Sequence, residues 1–270
     1  MVGVPSDRHR LRATFDSAAH LYQQARPGYP AELYDELIRL AGLRPPARLL
    51  EIGCATGTAT VPLAERGFRI ICLELGPRLA ATARDNLARF PAVTVTEADF
   101  DTWLAPPGEA FDLVFAATAW HWTDPATRYQ RAWTLLAPGG HLAFWEASHV
   151  FAVDGDPIFD DIQRLYQEIG EGLPPGAVQP RPGELPDSRA EIEASGLFAD
   201  VTVRQFDWAV SYTAAEYLSL LSTFSGHIEM APWQRDHLYQ GIQRLLAARP
   251  GGRLRRHWGA VLHIARRADR

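Results

Sequence analysis

Between Arg48 and Ser148 the chain alternates short apolar runs with stretches whose apolar positions recur every three to four residues. The runs RLLEI, FRIICLEL, VTVTEAD, FDLVFAATA and HLAFWEAS read as buried strands, being short, apolar or β-branched and bounded by turn residues. TATVPLAERG, PRLAATARDNLARF and DPATRYQRAWTLL read as helices between them. The first stops at Gly67, and Pro77 opens the second, where a missing amide hydrogen costs nothing. Strands spaced by helices need crossover connections, so the pattern predicts an α/β fold with a doubly wound, mostly parallel, Rossmann-like sheet and helices on both faces. Ligands of such sheets collect at the carboxyl ends of the strands.

The flanks are less regular. A helix is expected over Ala31 to Leu40, after YQQARPGYP, whose two prolines stiffen the entry. Leu173 to Pro186, LPPGAVQPRPGELP, suits neither a helix nor an inner strand and reads as a loop. Beyond it come a helix near Arg189 to Ser195, a strand at VTVRQFDW, helices at Ala214 to Thr223 and Gln234 to Ala248, and a last strand in RHWGAVLHIAR. The expected organisation is a single domain, 1–270, whose cofactor half is 48–148 and whose N-terminal and late helical lid elements are 1–47 and about 209–252.

Composition narrows the function. With 47% hydrophobic residues in 270, a sizeable core can be buried. Lys and Arg number 27 against 32 Asp and Glu, with no long single-sign block, which argues against nucleic acid; RHRLR at Arg8 to Arg12 reads as a solvated arm. Two cysteines make neither a disulfide framework nor a zinc spacing, the scattered histidines lack metal-ligand spacing, and no apolar run is long enough for a membrane span. The expectation is a cytoplasmic protein without metal, of unknown oligomeric state.

The stretch LLEIGCATGTATVPLAERG carries the chemistry. A triphosphate loop would need a lysine after its last glycine, and none follows Gly57. A dinucleotide turn wants G-x-G-x-x-G, whereas Gly53, Ala55 and Gly57 are spaced two and two. The segment Glu51 to Gly57 resembles instead the acid-x-G-x-G-x-G motif of the class I S-adenosylmethionine-dependent methyltransferases. Four further features follow in that family's order: Glu74 ends the second strand, Asp99 follows the third, FDLVFAATAWHW ends the fourth, and LLAPGG precedes the fifth. ARPGYP and SYTAAEYLSLLSTFS are similar to small-molecule members, including the trans-aconitate methyltransferase-like group.

The resemblance implies methyl transfer from S-adenosylmethionine to a small molecule, with an oxygen, carboxylate or hydroxyl, as acceptor. A nucleic-acid or protein methyltransferase and a non-enzymatic cofactor binder are the alternatives. Glu51 would face the cofactor's ammonium, Gly53 would let its amino-acid end approach the backbone, and Glu74 would accept from both ribose hydroxyls. Leu75, Asp99, Phe100 and Ala117 would line the adenosine side, and Tyr22 and Arg26 would close over it. Ala55 takes the place of a glycine, either at a positive φ or against the cofactor, so it implies strain rather than loss of the site. Tyr29, Trp120, His121, Trp122, Phe224 and His227 are the expected substrate contacts, with Ser225 in the same lid insertion as the last two, and His121 is also the catalytic candidate, as a base, an orienting donor or a packing residue. Aromatics near the expected mouth, Trp145 and Phe151 among them, favour an apolar small molecule.

Overall fold

The computed structural model describes residues 26–174 and 176–269. Tyr22 and the basic run at Arg8 to Arg12 lie outside them. Seven strands, β1 (Arg48–Ile52), β2 (Arg69–Glu74), β3 (Val93–Glu97), β4 (Phe111–Ala117), β5 (Leu136–His149), β6 (Phe198–Thr213) and β7 (Arg253–Arg267), form one sheet. Their order is β3-β2-β1-β4-β5-β7-β6, parallel except where β7 runs antiparallel to both of its neighbours. The expected doubly wound α/β sheet is thus the one observed, with an antiparallel strand inserted near one edge.

Helices cover both faces. On one side α1 (Ala31–Leu40), α2 (Thr60–Glu65) and α3 (Pro77–Leu87) bury Leu33, Leu37, Leu63, Ala83 and Leu87 against the sheet. On the other, α4 (Arg128–Leu135) and α6 (Arg189–Ala194) bury Tyr129, Ala132, Leu135 and Ile192. These positions carry the helical spacing read from the sequence, and their burial is what holds such short helices, too short to persist alone in water.

The structure departs from the sequence pattern in several places. β5 begins at Leu136 and takes in the APGG turn; the pairing of β4 with β5 shifts between Phe111 and Leu113, where Gly139 sits at φ +76° and the pairing resumes at His141. A helix, α5 (Ile158–Glu168), occupies a region for which no element is expected. Its apolar positions Ile158, Ile162 and Leu165 recur at helical spacing, and Asp156 Oδ1 accepts from the Ile158 amide at 3.1 Å, so its signals were local and readable. Finally, β6 and β7 are far longer than their apolar cores suggest, because they pair with each other from Phe198 with Arg267 to Thr213 with Arg253.

That long ribbon carries the late helical elements expected as a lid. Past the last β4 pairing, Ala117 with Trp145, β5 and β7 continue to His149 with Trp258. Between β6 and β7 the chain forms α7 (Ala214–Leu221), α8 (Ser225–Glu229) and α9 (Pro232–Ala247), which with α5 bury Tyr217, Leu220, Leu238, Ile242 and Trp258 in a third core. Thr213 starts α7 through a capping box, its Oγ1 accepting from the Glu216 amide while the Glu216 side chain accepts from the Thr213 amide. No described helix is long and apolar enough to cross a membrane.

Candidate active site

The strand order reverses between β1 and β4, and a cavity of about 330 Å³ opens there at the strands' carboxyl ends. Each successive strand contributes to its wall: Gly53 and Ala55 after β1, Glu74 and Leu75 at the end of β2, Asp99 and Phe100 after β3, and His121 and Trp122 after β4. Arg26, Phe224 and Ser225 close it from the lid side. A smaller neighbouring cavity is lined by Glu51, Ala117, Tyr29 and again Arg26.

The turn after β1 is held by backbone and carboxylate together. Gly53 adopts φ +66°, and a methyl group there would stand 2.7 Å from the Ala119 Cβ, so glycine is required by the β4 loop behind it. Gly57, at φ +87°, lines neither cavity; its missing side chain makes room for Leu87 of α3, 2.9 Å from where a Cβ would lie. Ala55 adopts φ +49°, which places the strain in its own backbone. Its amide donates to Glu74 Oε2 at 2.8 Å, while Glu74 Oε1 accepts from the Gly76 amide at 2.9 Å. Glu74 is thereby a clamp between two loops as well as part of the cavity wall.

Alanine in this left-handed conformation costs roughly 1 to 2 kcal/mol, while glycine gives back roughly 0.5 to 1 kcal/mol through the unfolded chain. Ala55→Gly is therefore expected to leave stability unchanged or raise it by up to about 1.5 kcal/mol. Urea denaturation measures this, and a loss of the size usual for Ala→Gly would show that the turn carries no strain.

Glu51 is buried at 1% exposure, with its Oε2 accepting from Thr60 Oγ1 at 2.6 Å. Burial pushes its carboxyl up to about 7, against the lowering effect of the Thr60 and Cys72 contacts. Asp99 Oδ1 accepts from the Asp101 amide at 3.0 Å, so it both lines the cavity and starts the following turn. Phe100 is buried beside it. Arg26 donates to the Thr223 hydroxyl at 2.9 Å and its carbonyl at 3.2 Å, and lies 4.2 Å from the centre of the Phe224 ring.

On the β4 side, Tyr29 Oη and Thr118 Oγ1 are 2.7 Å apart, and Thr118 itself takes φ +53°. His121 Nδ1 lies 3.5 Å from Glu146 Oε2, and that contact holds the Glu146 carboxyl below its ordinary range. Glu146 comes from β5, so this pair joins two strand ends.

Other expected contacts fall elsewhere. Trp120 is buried, stacked on Phe144 with ring centres 5.1 Å apart, and faces a third cavity, not the main one. His227 lies inside the lid, bonded through Nε2 to Tyr166 Oη at 2.9 Å and through Nδ1 to Tyr239 Oη at 3.4 Å, and burial lowers it to about 4. Of the aromatics expected at the mouth, Trp122 and Phe224 line the cavity, while Trp145 is in the core, stacked on Phe115. Thr118, Ala119, Glu146 and Ala147 line the cavity without having been singled out. Thr118 precedes the chosen AWHW stretch and Ala119 opens it, whereas Glu146 carries no sequence signal, because only the β4–β5 pairing brings it to His121.

Residues 50–144 match the family model of a methyltransferase domain. Over 169 residues the chain is 31% identical to an uncharacterized methyltransferase of Mycobacterium tuberculosis, a stretch covering 57% of this chain and 65% of that protein. The chain thus spans just under two thirds of the length of the first curated relatives it matches. It is 29% identical over 171 residues to a malonyl-(acyl-carrier protein) O-methyltransferase of Geobacter sulfurreducens, covering 62% of this chain and 59% of the other. It is 36% identical over 111 residues to a trans-aconitate 2-methyltransferase of Methylobacterium radiotolerans, covering 40% and 41%. Among solved structures, a protein of Anaeromyxobacter dehalogenans described as a type II methyltransferase aligns at TM-score 0.62 and 25% identity, over 89% of this chain and 97% of that one.

Proposed function

We propose that the chain, whose residues 50–144 match the model of a methyltransferase domain, is a class I S-adenosylmethionine-dependent methyltransferase that transfers a methyl group to an oxygen of a small-molecule acceptor. The observation that carries this reading is the single cavity wall built by four consecutive strand ends, with the buried Glu74 at its centre. Its volume of about 330 Å³ suits a small molecule. One relative is by name an O-methyltransferase and another a trans-aconitate 2-methyltransferase, which supports an oxygen acceptor. Two buried free cysteines fit a reducing compartment, and we place the protein in the cytoplasm.

The residues present suit the cofactor. A carboxylate offers about four acceptor sites, so Glu74 can hold the turn and also receive the ribose hydroxyls. Glu51, whose carboxyl burial raises well above the usual carboxylate range, would be drawn into its charged form by an ammonium group. Gly53 leaves the backbone open, and Asp99 and Phe100 would meet the adenine. S-adenosylmethionine supplies a methyl group on a sulfonium, already a good leaving group. What remains for the protein is alignment and exclusion of water. His121, oriented by Glu146, would receive or position the acceptor's proton.

Incubating the full chain with methyl-labelled cofactor and a metabolite extract tests the reading, label entering a small molecule being the expected result. Label entering only protein or nucleic acid would favour the macromolecular alternative, and cofactor binding without turnover the non-enzymatic one. With the acceptor in hand, His121→Ala should lower turnover by about 10²-fold or more while S-adenosylhomocysteine binds as it does to the parent. Equal turnover across pH would remove His121 from the chemistry.

A further inference from the structure

Beneath the lid, Arg256 of β7 is only 5% exposed. Its guanidinium carbon lies 4.4 Å from the centre of the Phe151 ring and 4.3 Å from that of Phe159. No ion pair or hydrogen bond joins it to another described residue, and its Nε is buried without a partner. Asp156, the acid nearest to its neighbours in the chain, is engaged by Arg249 Nη1 at 2.8 Å and by the amides of Arg255 and Ile158. Aromatic faces offset only part of the cost of taking a cation out of water, so this charge is poised for an anion that the described residues do not provide.

A second unsatisfied donor stands on the same face of the sheet. His149 is in register with Trp258, which shares a strand face with Arg256 two residues before it. The His149 ring centre is 4.3 Å from that of Trp258 and 5.5 Å from that of Phe224, and its Nε2 is buried without a partner. Phe224 lines the main cavity and Trp258 the smaller one, so His149 packs against one wall residue of each. Burial, reinforced by the charges of Arg256 and Arg26, holds this imidazole well below its ordinary range and therefore neutral. Tyr166, Tyr212 and Tyr217 complete the surroundings of Arg256; burial raises all three phenols, so none supplies a negative charge.

We propose that Arg256 and His149 form an anion subsite beside the active cavity, holding a carboxylate of the methyl acceptor, and that the acceptor is thus a carboxylic acid. This rests on the methyltransferase reading above. One guanidinium and one neutral imidazole present a single positive charge and a planar fork, which fits a monoanionic carboxylate better than a phosphate dianion. A carboxylate held in this way has its lone pairs engaged, which makes it an anchor and leaves another oxygen to accept the methyl group.

The test uses the full chain, titrated first with S-adenosylhomocysteine and then with benzoate or its neutral isostere benzamide, read by calorimetry and thermal denaturation. Benzoate should bind and raise the Tm of the parent, and benzamide should do neither. Arg256→Met should bind benzoate at least about tenfold more weakly, bind S-adenosylhomocysteine as the parent does, and melt no lower than the parent without ligand, since an uncompensated charge has been removed. Arg256→Lys keeps the charge without the fork and should retain part of the response. Benzoate acting on neither protein, or equally on both, would overturn the subsite, as would an Arg256→Met chain that melts far below the parent alongside a benzoate-insensitive Arg256→Lys. Failure of the parent to bind S-adenosylhomocysteine would instead sink the methyltransferase reading, with the benzoate comparison still readable.

Discussion

Glu74→Ala is expected to weaken S-adenosylhomocysteine binding by at least about a hundredfold, or roughly 3 kcal/mol. Two effects add. The ligand loses charge-assisted bonds to its ribose, worth about 1.5 to 3 kcal/mol each in a buried setting. The turn loses its clamp as well, since Glu74 fastens the Ala55 and Gly76 amides at 2.8 and 2.9 Å, and Ala55 has little reason to stay at φ +49° without it. Asp99→Ala should cost less, because the bond that Asp99 Oδ1 accepts from the Asp101 amide shapes its own turn and does not clamp a second loop. Titration calorimetry on the two variants decides, and an unchanged affinity in Glu74→Ala would remove the ribose assignment.

Gly53→Ala should be the most damaging small substitution in the protein. The residue sits at φ +66° with its amide tied to the Leu73 carbonyl at 2.8 Å, so the backbone has no easy escape. Alanine there costs roughly 1 to 2 kcal/mol for the left-handed backbone. The new methyl group would stand 2.7 Å from the Ala119 Cβ, well inside the roughly 3.5 to 4.0 Å optimum, and such overpacking adds about 1 to 3 kcal/mol. The total, about 2 to 5 kcal/mol, is a large share of a typical margin of about 5 to 15 kcal/mol. Chemical denaturation measures the loss. Adding Ala119→Gly should recover the steric part and leave the backbone part; a double variant no more stable than Gly53→Ala would show that Ala119 is not the obstacle.

These two positions also mark how far sequence reasoning reaches. Glu74 was legible as part of the crevice wall, being an acid at a strand end, but its clamp on the Ala55 and Gly76 amides was not. Gly53 was legible as a glycine that must be one, for the cofactor's approach; the structure adds a second reason that the sequence does not carry, the Ala119 methyl group, distant in the chain yet adjacent in space. For Ala55 two causes stood open, a positive φ or crowding of the ligand, and the backbone angle of +49° identifies the first.

The sequence by itself determined the strands and helices of the cofactor half, because buried strands and amphipathic helices write their own period into a few consecutive residues. It also determined which strand ends carry acids, and so where a ligand could be held. Only the tertiary structure decided which aromatic residues face the cavity, since Trp120, Trp122 and Trp145 have the same composition signal and three different surroundings. It alone decided the length of β6 and β7, whose outer residues are strands through pairing with each other and not through apolar content. The pairing of His121 with Glu146 and the meeting of His149 with Arg256 beneath the lid belong to the same class. Contacts of that kind depend on strand register, which is set by the summed burial of whole faces and leaves no mark at the residues it brings together.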